Sequence, residues 1–141
     1  MLKNIPALLP PELVKVMMEM GHGDELILAD AHFPAASHAQ RLIRCDGHPI
    51  PKLLEAVLVL YPLDSYVEAP VALMQVVEGD TITPVIWDDY ANVLVQSGNQ
   101  PQIEYVERFA FYERSKRAYA IVASGETSQY ANIILKKGLV L

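Results

Sequence analysis

At 141 residues the chain can bury one real core but not two, so a single domain over residues 1–141 is expected. A hydrophobic share of 52% against 20% charged residues exceeds what one small core readily absorbs, which points to a homo-oligomer. A formal charge of -6 with no basic cluster beyond Lys136-Lys137 speaks against nucleic acid, the one cysteine (Cys45) fits a reducing cytoplasm and a buried apolar role, and no run of about 18 apolar residues is available to span a membrane.

In chain order, "PPELVKVMMEMGHG" predicts a helix from Pro11 with Glu12 in its first turn, apolar residues at 13, 14, 16, 17 and 20, and Gly21 as its stop. "ELILAD" reads as a short strand buried on both faces, and "RLIRCDGHP" as a second strand ending in the Asp46-Gly47 turn. "PKLLEAVLVLYPLD" carries the helical period between Pro51 and Pro62, and the β-branched run "APVALMQVVEGD" predicts a central strand closed by Gly79-Asp80. A further helix runs from the Thr-Pro signal of "TPVIWDDYANVLVQSGN" to Ser97-Gly98-Asn99, followed by a strand at "QIEYVE". "RFAFYERSKRA" predicts a last helix with Arg114, Lys116 and Arg117 in solvent, before closing strands at "YAIVASGE" and "NIILKKGLVL". This alternation predicts an α/β domain of three layers, a central mixed sheet with helices on both faces.

Two of the four histidines fall in "GHGDELILADAHFP". His22, between two glycines where helix gives way to strand, is either a cap on the last helix carbonyls or a group offered to a ligand. Asp30 stands at the carboxyl end of its strand, where open α/β sheets place ligands, although a turn cap is the plainer alternative. His22-x-Asp24 and Asp30-x-His32 each pair two metal-ligand types on one side of an extended segment, without any H-E-x-x-H or paired-cysteine pattern beside them. In "GETSQYANIILKKG", Glu126 and Thr127 suit a tight turn, and Tyr130-x-Asn132 directs a phenol and an amide to one face, whether of a site or of an edge strand. Arg108 opens a helix, where a guanidinium can reach a polar ligand, although a solvated arginine is the plainer alternative. Phosphate loops, nucleophile elbows and dinucleotide fingerprints are missing from the sequence.

Together "EMGHGDELILADAHFP", "RFAFYER" and "SGETSQYANIILKKG" resemble the L-fucose mutarotase and D-ribose pyranase family in order and spacing, across essentially the whole chain. The resemblance implies a cofactor-free, metal-free isomerase acting on a free monosaccharide. It also implies a ring-like oligomer such as a decamer, with active sites at subunit contacts. By the family pattern His22 transfers a proton, and Asp30, Arg108 and the Tyr130-Ala131-Asn132 segment bind the sugar. Ala31-His32-Phe33-Pro34 and Arg108 resemble the fucose branch, whereas Ala131 resembles the ribose branch, so interconversion of L-fucose anomers is the favoured expectation and pyranose–furanose interconversion of D-ribose the alternative. The mechanism expected is acid–base ring opening and closure with His22 as one proton carrier and Tyr130 as the second, Asp30 orienting His22 or accepting a sugar hydroxyl, and Arg108 and Asn132 holding further hydroxyls. Asp24 and His32 are left to packing, a subunit contact or the site. A metal-dependent hydrolase or isomerase and a non-catalytic sugar-binding module are the readings from other classes.

Overall fold

The computed structural model describes residues 1–141. Its elements run α1 (Pro11–Glu19), β1 (Glu25–Ala29), α2 (Ala35–His38), β2 (Leu42–Cys45), α3 (Ile50–Leu58), β3 (Val71–Met74), α4 (Ile86–Gln96), β4 (Ile103–Val106), α5 (Arg108–Arg117), β5 (Ala120–Ser124) and β6 (Ile133–Lys136). The strands form one six-stranded sheet in the order β2-β5-β1-β6-β3-β4. Five of them point the same way, and β6 alone runs antiparallel, wedged between β1 and β3. All five parallel strands therefore end at one edge of the sheet, and β6 begins there.

Alternation along the strands divides the buried side chains of the one domain between the two faces of the sheet. Leu26 and Leu28 of β1 join a cluster of 26 buried residues beneath α1, α3 and α4, while Ile27 and Ala29 join a cluster of 11 beneath α2 and α5. Helices on both faces of a mixed sheet are the expected three layers. No helix is long and apolar enough to cross a membrane.

Several local expectations are corrected. Helix α1 ends at Glu19 because Met20, itself buried, turns extended (φ -65, ψ 139), and the first left-handed residue after the helix is Gly23 rather than Gly21. β3 stops at Met74, and the rest of the apolar run, with Val77 and Glu78 exposed, leaves the sheet. β6 likewise stops at Lys136, leaving Leu139, Val140 and Leu141 exposed. Arg114 is not in solvent: its guanidinium is half-buried and pairs with Glu25 of β1 and Glu104 of β4, tying α5 to the sheet. α2, a single turn, escaped the periodicity altogether. Cys45 is buried and free, as expected.

Loops at the carboxyl edge are locked by close backbone approach. A Cβ on Gly125 would stand 2.2 Å from the Asp46 carbonyl oxygen, whereas one on Gly47 would meet nothing within 4 Å. Gly125→Ala is expected to destabilise the fold by about 1–3 kcal/mol, read as a lower urea midpoint, with Gly47→Ala near wild type. Equal midpoints for the two variants would contradict this packing.

Candidate active site

Asp30 leaves β1 at the carboxyl edge with its backbone N–H donating to Asn132 Oδ1 at 2.7 Å, and its own Oδ1 accepts the His32 N–H at 3.0 Å. This contact joins the end of β1 to the residue just before β6, so the chain ends of two neighbouring strands share one polar corner. Burial pushes the Asp30 carboxyl above the usual range, although the N–H groups of His32 and Phe33, the charge of His32 and the Asn132 amide all oppose it.

Tyr130 sits in the left-handed region at φ 57, a conformation that costs a non-glycine residue about 1–3 kcal/mol. Contacts from α4 hold it there. Trp87 Nε1 donates to the Tyr130 carbonyl at 2.8 Å, and the buried Tyr90 hydroxyl donates to the Ala131 carbonyl at 2.6 Å. The Tyr130 hydroxyl donates to Asp80 Oδ2 at 2.7 Å, and this bond pushes the phenol pKa up and the Asp80 carboxyl down. Ala131 points the other way: its methyl is fully buried in the larger core, so only its backbone serves the corner.

Arg108 starts α5, whose amino terminus is capped by Glu107 accepting from the Ala110 N–H at 3.0 Å. Its Nε donates to the Tyr112 hydroxyl at 3.3 Å. These groups line a cleft of about 360 Å³ that brings together Asp30, Arg108, Tyr130 and Asn132 with His32 and Asp80. The volume suits a small polar ligand. A larger cavity of about 710 Å³ under the N-terminal segment is walled mainly by Met1, Leu2, Ile5, Val14 and Met18, and offers no convergent polar set. Glu126, read as a turn residue, is instead buried, accepting from the Ile50 N–H at the start of α3 (3.1 Å) and from the Ser128 N–H (3.1 Å).

His22 does not enter this cleft. It precedes β1 whereas Asp30 follows it, and five residues of strand set them roughly 17 Å apart at about 3.3 Å per residue. Asp30 therefore cannot orient the His22 of its own chain. The carboxylate beside His22 is Asp64, whose Oδ1 lies 3.0 Å from His22 Nε2 at the amino edge of the sheet. Nor does His22 cap α1, because Lys137 Nζ donates to the Met20 carbonyl. Asp24 accepts the Gly21 N–H at 2.7 Å within the His22 turn. The two His/Asp pairs lie at opposite edges, and no three His, Cys, Asp or Glu side chains converge as a metal-ligand set.

Asp64 and Asp80 were missed by sequence reasoning. Asp80 follows β3 at the same edge as Asp30, so the strand-end rule would have reached it; Asp64 lies in an irregular segment with no such signal.

Residues 3–140 match the RbsD / FucU transport protein family. The chain is 53% identical over 140 residues to the L-fucose mutarotase of Actinobacillus pleuropneumoniae, covering 99% of this chain and 97% of that one. It is 50% identical over 145 residues to the human fucose mutarotase, covering 99% and 94%. Its fold superposes with a TM-score of 0.95 on the fucose mutarotase of Streptococcus pneumoniae in complex with L-fucose, at 57% identity, covering 99% of this chain and 100% of that one.

Because burial raises the Asp30 pKa, the unfolded chain releases this proton first as pH rises, and the folded chain loses stability on ionising the group. Asp30→Asn should therefore melt at a higher temperature than wild type at pH 7, with the difference closing near about pH 3, where both states hold the proton. An unchanged or lower melting temperature at pH 7 would contradict the buried placement.

Proposed function

The chain belongs to the RbsD / FucU transport protein family, and from that premise we propose that it is an isomerase, a cofactor-free mutarotase interconverting the α and β anomers of L-fucose. The observation that carries the reading is the convergence of Asp30, Arg108, Tyr130 and Asn132 on one cleft. A carboxylate, a guanidinium, a phenol and an amide are the groups that read sugar hydroxyls, and Phe33, Met74 and Val77 supply the apolar wall that the methyl of a 6-deoxy sugar needs.

Mutarotation takes a proton from the anomeric hydroxyl and delivers one to the ring oxygen. The bond from C1 to the ring oxygen breaks to give the open aldehyde, rotation about C1–C2 turns the carbonyl, and closure on the other face reverses both transfers. In this reading His22 is one carrier, since an imidazole can take a proton on one ring nitrogen and give it back, and Tyr130 is the second. Asp30, Arg108 and Asn132, with the backbone of Ala131, hold the remaining hydroxyls so that C1 is presented to the proton carriers.

Since His22 lies at the opposite edge from the cleft, the reading needs a second copy: His22 of one subunit meets the cleft of the next, in a ring-like homo-oligomer such as a decamer. Apolar residues left exposed around His22 support this, with Met18 80%, Leu60 37% and Val140 87% exposed. Residues 1–141 act as one domain in each subunit, and the free, buried Cys45 agrees with a cytoplasmic location.

An enzyme leaves the anomer ratio at equilibrium unchanged, so the exchange rate is the observable. Two-dimensional exchange NMR of the anomeric protons of L-fucose is expected to record acceleration that survives excess chelator. His22→Ala should reduce it at least about 100-fold without altering oligomer size, and Arg108→Ala should raise KM more than it lowers kcat. Wild-type exchange no faster than in buffer, or acceleration undiminished in His22→Ala, would overturn the assignment. Acceleration of pyranose–furanose exchange on D-ribose alone would move the chain to the other branch.

A further inference from the structure

We propose that Asp64 is the positioning carboxylate of His22, fixing the imidazole as its Nε2–H tautomer so that Nδ1 is the nitrogen that takes the sugar's proton. The proposal rests on the mutarotase reading for its chemistry, but its geometry stands without it. Asp64 is 5% exposed, whereas the His22 side chain is 40% exposed, so the carboxylate forms the floor and the imidazole the accessible surface. One carboxylate oxygen, Oδ1, receives both the His22 contact at 3.0 Å and the Tyr66 N–H at 3.0 Å. The Tyr66 N–H first, and then His22 and the charge of Lys136, hold the Asp64 carboxyl below the usual range, so it is an anion at neutral pH. An ionised carboxylate only accepts, and Nε2 must therefore carry the hydrogen. Nδ1 is left with the lone pair.

The same three residues of chain hold both partners. Gly23 N–H donates to the Lys137 carbonyl and Lys137 N–H to the Asp24 carbonyl, each at 2.8 Å, which pins the turn bearing His22. On the other side Asp64 N–H donates to the Lys136 carbonyl at 3.0 Å and Gly138 N–H to the Pro62 carbonyl at 2.8 Å. A Cβ on Gly138 would fall 2.6 Å from the Leu63 carbonyl oxygen and 2.7 Å from the Asp64 Cα. The glycine that closes "SGETSQYANIILKKG" is thus required where Asp64 is brought up to His22. The Tyr66 ring packs beside the imidazole, with centroids 5.3 Å apart, and Asp24, Lys136 and Lys137 are the other charged groups of this corner.

The test is long-range ¹H–¹⁵N NMR of the imidazole nitrogens in the full chain, recorded on neutral imidazole at alkaline pH, with the signal assigned by His22→Ala. Wild type is expected as the Nε2–H tautomer. Asp64→Asn, which can offer an amide N–H to Nε2, is expected to shift the population toward Nδ1–H, and kcat on L-fucose to fall at least about tenfold with KM within about threefold. Nδ1–H in wild type, or Asp64→Asn with unchanged tautomer and kcat, overturns the proposal. The wild-type tautomer decides it even if Asp64→Asn fails to fold. If wild type accelerates exchange of no sugar, the mutarotase reading fails, and the tautomer still reports on Asp64 separately.

Discussion

One antiparallel strand organises the polar chemistry of this molecule. β6 is hydrogen-bonded to β1 on one side and β3 on the other, with Ile133 opposite Leu28 and Lys136 opposite Glu25. Because it runs against its neighbours, its entry lies at the carboxyl edge, where Tyr130 and Asn132 meet Asp30, and its exit lies at the amino edge, where Lys136 to Gly138 hold His22 and Asp64. Both sets of polar groups are thus referenced to one central strand, buried from Ile133 to Leu135. A shift of register by one residue would turn every β6 side chain to the other face and dismantle both corners at once.

The cleft is also where the fold carries its local costs. Asp30 is held partly out of water, and Tyr130 occupies a backbone conformation that asparagine or glycine would adopt more easily. The second is sustained from the larger core: Trp87 and Tyr90, anchored on α4, fix the carbonyls of Tyr130 and Ala131 from behind. Rigid support of this kind holds the phenol and amide of this corner in place without a ligand, which is the preorganisation that the proposed acid–base chemistry on a small sugar requires.

The layered architecture was legible in the sequence because α1, α3 and α4 carry clear helical periods and β1 is apolar on both faces. Strand ends were less so. β3 and β6 continue in sequence as apolar runs, but what ends each strand is tertiary: the chain after Met74 turns out to carry Asp80 to Tyr130, and Gly138 meets the backbone of Leu63. Strand ends, a helix start and a Tyr-x-Asn pair drew attention to Asp30, Arg108, Tyr130 and Asn132, each with a plainer reading beside it, and it was the resemblance to the family that singled them out. The separation of His22 from Asp30 could not be read in this way. Eight positions look close in a sequence, yet a strand lies between them, and the partner that His22 does find is 42 residues away in a segment without periodicity.

The central claim is that the proton carrier and the sugar-holding groups meet only between subunits. Its most direct measurement is the exchange rate of L-fucose anomers catalysed by co-assembled His22→Ala and Asp30→Ala chains, each inactive by itself. A site shared between two subunits predicts recovery of about a quarter of wild-type activity per site in an equal mixture, because one contact in four pairs an intact His22 with an intact Asp30. A mixture that co-assembles yet stays as inactive as its parents would place the whole reaction within one chain and contradict the account.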